Sequence, residues 1–360
     1  MIELSLPISI VMPVYNARPF LCKAVNSILS QSYSNFELVI RDDGSTDGSS
    51  DDLRKLMEKD ERIKVFRSDR NEGPAESSNS AVRLSQYGIV ARMDADDISH
   101  PDRIRRELAV LSARPEAVMV GSLFEGIDAQ GNTIRSRDRS RLLRPEESPP
   151  MAHGSIMFRR SAFEQVGGYR SQCNFWEDQD LFLRLSRLGE ILIIPKTLYY
   201  YRFNYKGTRI VSVRQGVERN IDLGQRCFEE FIRSGDYESV LQSGDAAPPG
   251  PRAIRAIGEL ELWSNIRPLL IKRLWVSLSN DPSPRHIGFF LWGCWARLSP
   301  GTLRWVSRIW AYARDRIASQ VVDDGKIYVW GTDTAYSLPD EVTENDDSKR
   351  DTSSEKYHGA

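Results

Sequence analysis

Along the first 130 residues, short runs of consecutive apolar residues alternate with segments in which apolar positions recur every three or four residues. Runs that are apolar on both faces suit strands buried inside a parallel sheet, and the helical-period segments suit the crossovers that cover it. The predicted strands are residues 7–12 (PISIVM, stopped by Pro13), 36–40 (FELVI), 63–66, 88–93 (GIVARM) and 117–123 (AVMVGSL). The predicted helical faces are Leu21, Val25, Ile28 and Leu29, then Leu53, Leu56 and Met57, then Ala81 and Leu84 after a Gly73-Pro74 turn. A fourth helix carries Leu108 and Leu111, with Pro101 in its first turn, where a missing N–H has no partner in any case. This alternation predicts an α/β fold, a parallel sheet with helices on both faces.

Further on, residues 128–132 (DAQGN) predict a hairpin-type turn, residues 135–150 a charged, Pro-flanked surface loop, and residues 153–158 and 190–194 two more strands. Leu181, Leu185 and Leu188 mark a helix opening at Glu177-Asp178. Past Arg209 the pattern is helical, broken at residues 248–251 and 282–284, and from Asp323 it is polar and acidic, expected to be disordered. The expected organisation is a catalytic domain over residues 1–209, a helical region over 210–322 and an acidic tail over 323–360.

With 360 residues the chain has room for about two domains and a large core. Lys and Arg total 49 against 50 for Asp and Glu, so no overall field draws it to nucleic acid. Its most apolar run, residues 287–295, is well short of the ~20 residues that span a bilayer. The N-terminus lacks the basic start and cleavage site of a signal peptide, so a cytoplasmic protein is expected. Cys22, Cys173, Cys227 and Cys294 are scattered, without a C-x-x-C pair, and read as reduced thiols. The neutral total hides an asymmetry: residues 252–316 carry eleven basic and four acidic side chains, a local balance of +7, while the stretch after Pro339 is net −4. Residues 303–314 interleave Trp with Arg at helical spacing, as interfacial helices do, so a peripheral contact with an anionic membrane stands beside an ordinary helical subdomain.

In open α/β sheets ligands bind beyond the carboxyl ends of strands, and acidic clusters fall there. Asp42 and Asp43 follow the second predicted strand; Asp94, Asp96 and Asp97 follow the fourth. Asp94-x-Asp96 can present two oxygens to one hard cation, Mg²⁺ or Mn²⁺, with positions left for water and phosphate; alternatively it is a solvated turn ahead of the next helix. Asp42-Asp43-Gly44-Ser45 can accept from a nucleobase and ribose, or form an Asx-type turn in which Gly44 supplies a positive φ. No G-x-G-x-x-G or P-loop follows any strand, so the phosphate partner has to be a metal. Glu177-Asp178 suits a helix start, and also a general base within reach of an acceptor hydroxyl; His153 is a strand-edge residue or a contact to acceptor or phosphate.

Taken in order, Ile10 to Asn16 (IVMPVYN), Asp42 to Asp47 (DDGSTD), Asp94 to Asp97 (DADD), Pro101-Asp102-Arg103 and Glu177 to Leu181 (EDQDL) resemble the family 2 inverting glycosyltransferases of GT-A fold, over about residues 7–205. The resemblance implies a Rossmann-like, mixed, mainly parallel sheet flanked by helices. It implies that Pro13, Tyr15, Asn16 and Asp43 bind the nucleotide, that Asp94 and Asp96 hold Mg²⁺ or Mn²⁺ on a nucleotide-diphosphate sugar, and that Asp178 is the base, with Glu177 and His153 near the substrates. The acceptor would be a glycan or a lipid-linked glycan. Two departures stand out. Ser78 precedes Asn79 where the family often has Arg, so a cationic contact to the donor is either missing or supplied by Arg70 or Arg92, and Phe203-Asn204 stands where a His is frequent. A sugar nucleotidyltransferase or a non-catalytic glycan-binding protein on the same fold are the alternatives.

Overall fold

The computed structural model describes residues 5–135, 149–173, 176–203, 218–243, 326–330, 332 and 335–337. They fall into two compact units: Met1–Ser171 with Arg184–Arg202 and Arg314–Ala360, and Gln172–Leu183 with Phe203–Ala313.

The first unit is built on one sheet. Its first half is laid down by β1 (Ile8–Val14), α1 (Arg18–Leu29), β2 (Phe36–Asp42), α2 (Ser49–Met57), β3 (Ile63–Arg67), α3 (Pro74–Leu84) and β4 (Ile89–Arg92). These four strands run parallel in the order β3-β2-β1-β4. β1 and β2 lie in mid-sheet with both faces covered: Ile8, Ile10, Met12, Leu38 and Ile40 are buried on one face and Val11 and Val39 on the other, each stabilising the fold by roughly 1.5–3 kcal/mol. Chain order reverses between β1 and β4, because β2 and β3 are added on one side of β1 and β4 on the other. The loops leaving β1 and β4 therefore diverge and open a crevice at their carboxyl ends.

The sheet continues through β5 (Ile98–Ser99), α4 (Arg103–Ala113), β6 (Ala117–Ile127), β7 (Thr133–Arg135), a 3₁₀ turn at His153–Ser155, β8 (Ile156–Arg159), α5 (Arg160–Gln165) and β9 (Glu190–Arg202). β8 is antiparallel to both β4 and β6, while β6 and β9 are parallel, so the sheet is mixed. Pro101 lies two residues ahead of α4 rather than inside its first turn. Residues 153–155 are a 3₁₀ turn and the strand expected there starts at Ile156. β9 runs well past the expected residues 190–194: the register steps from Ser122 opposite Ile194 to Leu123 opposite Thr197, and this irregularity accommodates Pro195, which lacks a ladder donor.

The tail expected to be disordered from residue 323 contains two strands, β10 (Lys326–Val329) and β11 (Ala335–Ser337), which extend the sheet from β9. Ile327 and Val329 join the same core cluster as β1 and β2, which outweighs the acidic composition around them. Tyr336 lies under the Arg114 guanidinium, 3.3 Å from ring centroid to Cζ, and donates its hydroxyl to Glu190.

The second unit contains most of α6 (Glu177–Leu185), α7 (Glu218–Ser234) and α8 (Glu238–Ser243). The apolar run 287–295, the Trp/Arg segment 303–314, most of the 135–150 loop and Cys294 lie outside the described residues. Among the described residues no helix is long and apolar enough to cross a membrane.

Candidate functional site

Tyr15 and Asn16 leave β1 into a turn that the DDGSTD segment holds. Asn16 has φ +51°, a left-handed conformation that Asn tolerates better than most residues. Its N–H donates to Ser45 Oγ (3.0 Å) and its side-chain oxygen accepts from the Thr46 N–H (2.8 Å). The N–H groups of Ala17 and Arg18 donate to Ser49 Oγ (3.1 Å) and Asp47 Oδ2 (2.9 Å). Three residues of the acidic turn and the first residue of α2 are thus spent on bracing the β1–α1 connection. Tyr15, 48% exposed, takes no part in this brace, and Pro13 is half-buried.

Asp42 closes the Asx-type turn expected there, its Oδ1 accepting from the Ser45 N–H (3.0 Å). Asp43 does something different. It is buried, and its two oxygens accept from the N–H groups of Glu72 (2.9 Å) and Gly73 (3.0 Å), 29 and 30 residues away. Burial pushes its carboxyl up, partly offset by those two hydrogen bonds. Asp43 therefore ties down the 69–73 loop, and Gly44 (φ +74°) packs so closely that a Cβ would meet the Arg70 carbonyl carbon at 2.9 Å. Beside this contact, at the carboxyl ends of β2 and β3, lies a cavity of about 460 Å³ lined by Arg41, Arg67, Ser68, Asp69, Arg70 and Glu72. Arg41 is paired with Glu72 at 3.1 Å.

Asp94, Asp96 and Asp97 follow β4 on the crevice side of β1. The Asp94 N–H donates to the Tyr199 hydroxyl (3.2 Å), and its Oδ1 accepts from Arg92 Nη2 (2.9 Å). Arg202, at the end of β9, holds the rest of the turn: its backbone N–H donates to Asp97 Oδ1 (2.6 Å) and its Nε to the Asp96 carbonyl (2.7 Å). Asp97 is buried, and its Oδ2 has no hydrogen-bond partner. Burial, then the charges of Asp96 and Asp94, push its carboxyl well above the usual range. The same burial and the charges of Asp97 and Asp94 push the Tyr199 phenol up.

The 3₁₀ turn comes up against this acidic corner. A Cβ on Gly154 would fall 1.8 Å from the Tyr199 hydroxyl oxygen and 3.0 Å from Asp94 Oδ2, so no side chain fits there. His153 next to it pairs Nε2 with the Tyr169 hydroxyl (2.7 Å), and burial followed by the nearby Arg92 charge keeps its pKa well below the usual value. It is a neutral imidazole engaged with an aromatic neighbour. The fold thus brings His153 to Asp94 through Gly154 and Arg92. Arg92, Tyr169, Tyr199 and Arg202 complete the corner, and of these only Arg92 carried a sequence signal, a cation in the otherwise apolar run GIVARM.

The residues here suit a divalent cation. Asp94 and Asp96 offer hard carboxylate oxygens, and the unpartnered Asp97 Oδ2 beside them marks a negative potential that a cation would relieve. Among the described residues no group of three His, Cys, Asp or Glu side chains could hold a metal, so water and ligand phosphate oxygens would complete the shell.

In the second unit, Glu177 and Asp178 occupy the first turn of α6, where the helix dipole favours carboxylates. Asp178 is half-buried and accepts from the Gln179 N–H (2.8 Å). Asp180, two residues on, is fully buried and accepts from the Tyr237 hydroxyl (2.7 Å), joining α6 to the segment ahead of α8. The EDQDL segment thus divides into a half-buried Glu177-Asp178 pair and a structural Asp180.

The pattern described as Glycosyl transferase family 2 matches residues 9–167. EpsE of Bacillus subtilis strain 168, named as a glycosyltransferase, is 31% identical over 241 residues, 64% of this chain and 85% of its own length. The chondroitin synthase of Escherichia coli is 29% identical over 194 residues, 53% of this chain and 28% of its own length. Among solved structures, the mannosyltransferase PcManGT from Pyrobaculum calidifontis, in complex with GDP-Man and Mn²⁺, superposes with a TM-score of 0.53 at 18% identity, covering 88% of this chain and 87% of its own. The fold is thus of the GT-A type, and the chain is an enzyme that belongs to glycosyl transferase family 2.

Proposed function

We propose that the enzyme moves a sugar from a nucleotide-diphosphate donor to a hydroxyl of a glycan or lipid-linked acceptor, with inversion at the anomeric carbon, in the assembly of a cell-surface polysaccharide or O-antigen type glycan. The observation that carries the reading is the concentration of Asp94, Asp96 and the unpartnered Asp97 oxygen at the β1/β4 switch point, in a family 2 chain. Residues 1–209 carry the chemistry. The polymer named by the chondroitin synthase relative, and the GDP-Man and Mn²⁺ held by PcManGT, support the substrate class and the metal.

In this reading Pro13, Tyr15, Asn16 and Asp43 bind the nucleotide, with Tyr15 and the Asp43-braced 69–73 loop flanking the nucleoside. Asp94 and Asp96 would hold Mg²⁺ or Mn²⁺, which when bound stabilises the charge that develops on the diphosphate leaving group. Asp178 takes the proton from the acceptor hydroxyl as that oxygen attacks opposite the diphosphate. Glu177 and His153 line the substrates, His153 as a neutral hydrogen-bonding group rather than a cation. One displacement inverts the centre.

Thermal-shift titration with UDP-, GDP- and dTDP-sugars, with Mn²⁺, Mg²⁺ or chelator, is expected to show metal-dependent stabilisation by one nucleotide class, about 2–3 kcal/mol at a hundredfold excess over Kd. NMR of the product should show the inverted anomer. Pyrophosphate from a nucleoside triphosphate and a sugar phosphate would instead make it a nucleotidyltransferase. No donor binding and no nucleoside diphosphate release would leave a glycan-binding protein.

The +7 segment and its Trp/Arg interleaving support a second element of the proposal, that residues 210–322 bring the enzyme to an anionic leaflet next to a lipid-linked acceptor. Co-sedimentation with phosphatidylglycerol vesicles at low salt, lost at about 0.5 M salt and absent with phosphatidylcholine, is the expected result. A protein that stays in the supernatant at low salt does not dock this way.

A further inference from the structure

Arg92 ends β4 two residues ahead of Asp94, and its side chain is only 5% exposed. A buried guanidinium is costly unless its N–H groups meet acceptors, and its planar fork can serve two at once. Here the fork joins two elements. Nη1 donates to Ser78 Oγ on α3 (2.7 Å) and Nη2 to Asp94 Oδ1 (2.9 Å). The guanidinium also lies over the Tyr169 ring, 5.7 Å from its centroid. Tyr169 is fixed by the next residue of α3: Asn79 donates to its carbonyl (2.9 Å) and accepts from its N–H (2.8 Å). Two consecutive residues of α3 thus hold Arg92, one through a hydrogen bond and the other through the aromatic face. Where α3 carries Ser78 instead of an arginine, the guanidinium arrives from β4.

We propose that Arg92 is a positioning residue for sugar transfer. By taking Oδ1 it keeps the Asp94 carboxylate in one rotamer, with Oδ2 over Gly154, where the absence of a Cβ leaves it room. The proposal rests on the reading of Asp94 as a cation ligand. Arg92 also cancels one negative charge at the corner, so removing it increases the attraction for a divalent cation even as it frees the carboxylate to rotate. The signature of positioning is therefore a lower kcat without weaker metal binding.

The test compares Arg92→Gln, Arg92→Lys, Ser78→Ala and Asp94→Asn in the full chain. Mn²⁺ binding in the presence of UDP or GDP is read from the EPR signal of the free ion. Donor turnover is read as nucleoside diphosphate release from the best sugar nucleotide. Losing one or two hydrogen bonds to a charged group is worth about 10–100-fold in rate. Arg92→Gln is expected to lower kcat by that factor, with KM for the donor within about threefold, Mn²⁺ affinity equal or tighter, and Tm within about 3 °C. Ser78→Ala, which frees the cation from α3, is expected to lower kcat by a smaller factor. Arg92→Lys should recover little, because one ammonium cannot span both acceptors. Unchanged kcat in Arg92→Gln overturns the proposal. So does a KM increase that accounts for the whole loss, which makes Arg92 a donor contact, or full rescue by lysine, which makes a point charge sufficient. A fall in Tm with parallel loss of metal binding overturns it too, as a purely structural role. Asp94→Asn separates the two levels: if it keeps Mn²⁺ binding and turnover, the ligand reading itself fails, and the proposal with it. If it loses both while Arg92→Gln is neutral, only the Arg92 proposal fails.

Discussion

Replacing Asp178 with asparagine is expected to lower sugar transfer by about three orders of magnitude, the middle of the range for a positioned general base, while donor binding and folding persist. The acceptor hydroxyl has to lose its proton as its oxygen attacks, and in the proposed mechanism the Asp178 carboxylate is what receives it. Asparagine has the same shape and retains an oxygen for the Gln179 N–H that Asp178 now accepts, so the start of α6 has no reason to fray. What it cannot do is take up a proton. The loss should fall on kcat, with the thermal shift induced by donor and metal within about 2 °C of wild type. Asp180 provides the contrast two residues away. It is buried and accepts from the Tyr237 hydroxyl, so Asp180→Ala should lower Tm and weaken every activity in parallel. Transfer by Asp178→Asn within tenfold of wild type would remove Asp178 from the role of base and direct attention to Glu177 beside it.

The two carboxylates show what can be read from local sequence and what cannot. A helix start rich in Asp and Glu is legible, but which of its carboxylates faces a buried tyrosine 57 residues away depends on the fold. The same division holds in the sheet. β1 to β4 were legible because strands buried on both faces write themselves as unbroken apolar runs, and the acidic turns at their ends fell where ligands bind in such sheets. β5 has two residues and no period to detect. β10 was masked by acidic neighbours, and the second half of β9 by Pro195. In the site, Asp43 was ambiguous between ligand and turn. Its partners within the fold, the N–H groups of Glu72 and Gly73, belong to a loop brought alongside by the β2–β3 pairing. Tyr199 and Arg202 converge on Asp94 to Asp97 from up to 106 residues away, Tyr169 stacks under the Arg92 that holds Asp94, and no spacing rule connects them.

Arg103, the arginine of the PDR segment, is a residue whose removal should cost much stability. Its side chain is fully buried in the first turn of α4. Nε donates to Ser99 Oγ (2.8 Å), and Nη1 donates to the carbonyls of Arg92 (3.1 Å) and Gly154 (3.1 Å). One guanidinium therefore ties the end of β4 and the 153–155 turn, the two walls of the acidic corner, to the base of α4. Glu107, one turn along, lies 3.5 Å from it and is equally buried. Arg103→Met keeps most of the volume but leaves two buried carbonyls without their donor, a change that costs about 1–3 kcal/mol for each. The urea midpoint should fall accordingly, and a loss below about 1 kcal/mol would mean that water or a neighbouring donor replaces the guanidinium. Glu107 gives this core a pH dependence of definite sign. Burial pushes its carboxyl up to about 8 from an ordinary 4.5, against the opposing pull of Arg103. The folded state thus holds a proton that the unfolded state has released between those two values. Its contribution is complete below pH 4.5 and is lost as the pH rises through 8, at about 1.4 kcal/mol per pH unit within the window. Glu107→Gln, which mimics the protonated form, should remove this slope, so the variant is expected to gain on wild type steadily from pH 5.5 to 8. Parallel stability curves for the two proteins over that range would show that Glu107 is ionised beside Arg103 throughout, and that the pair is held as ions by the carbonyls around it.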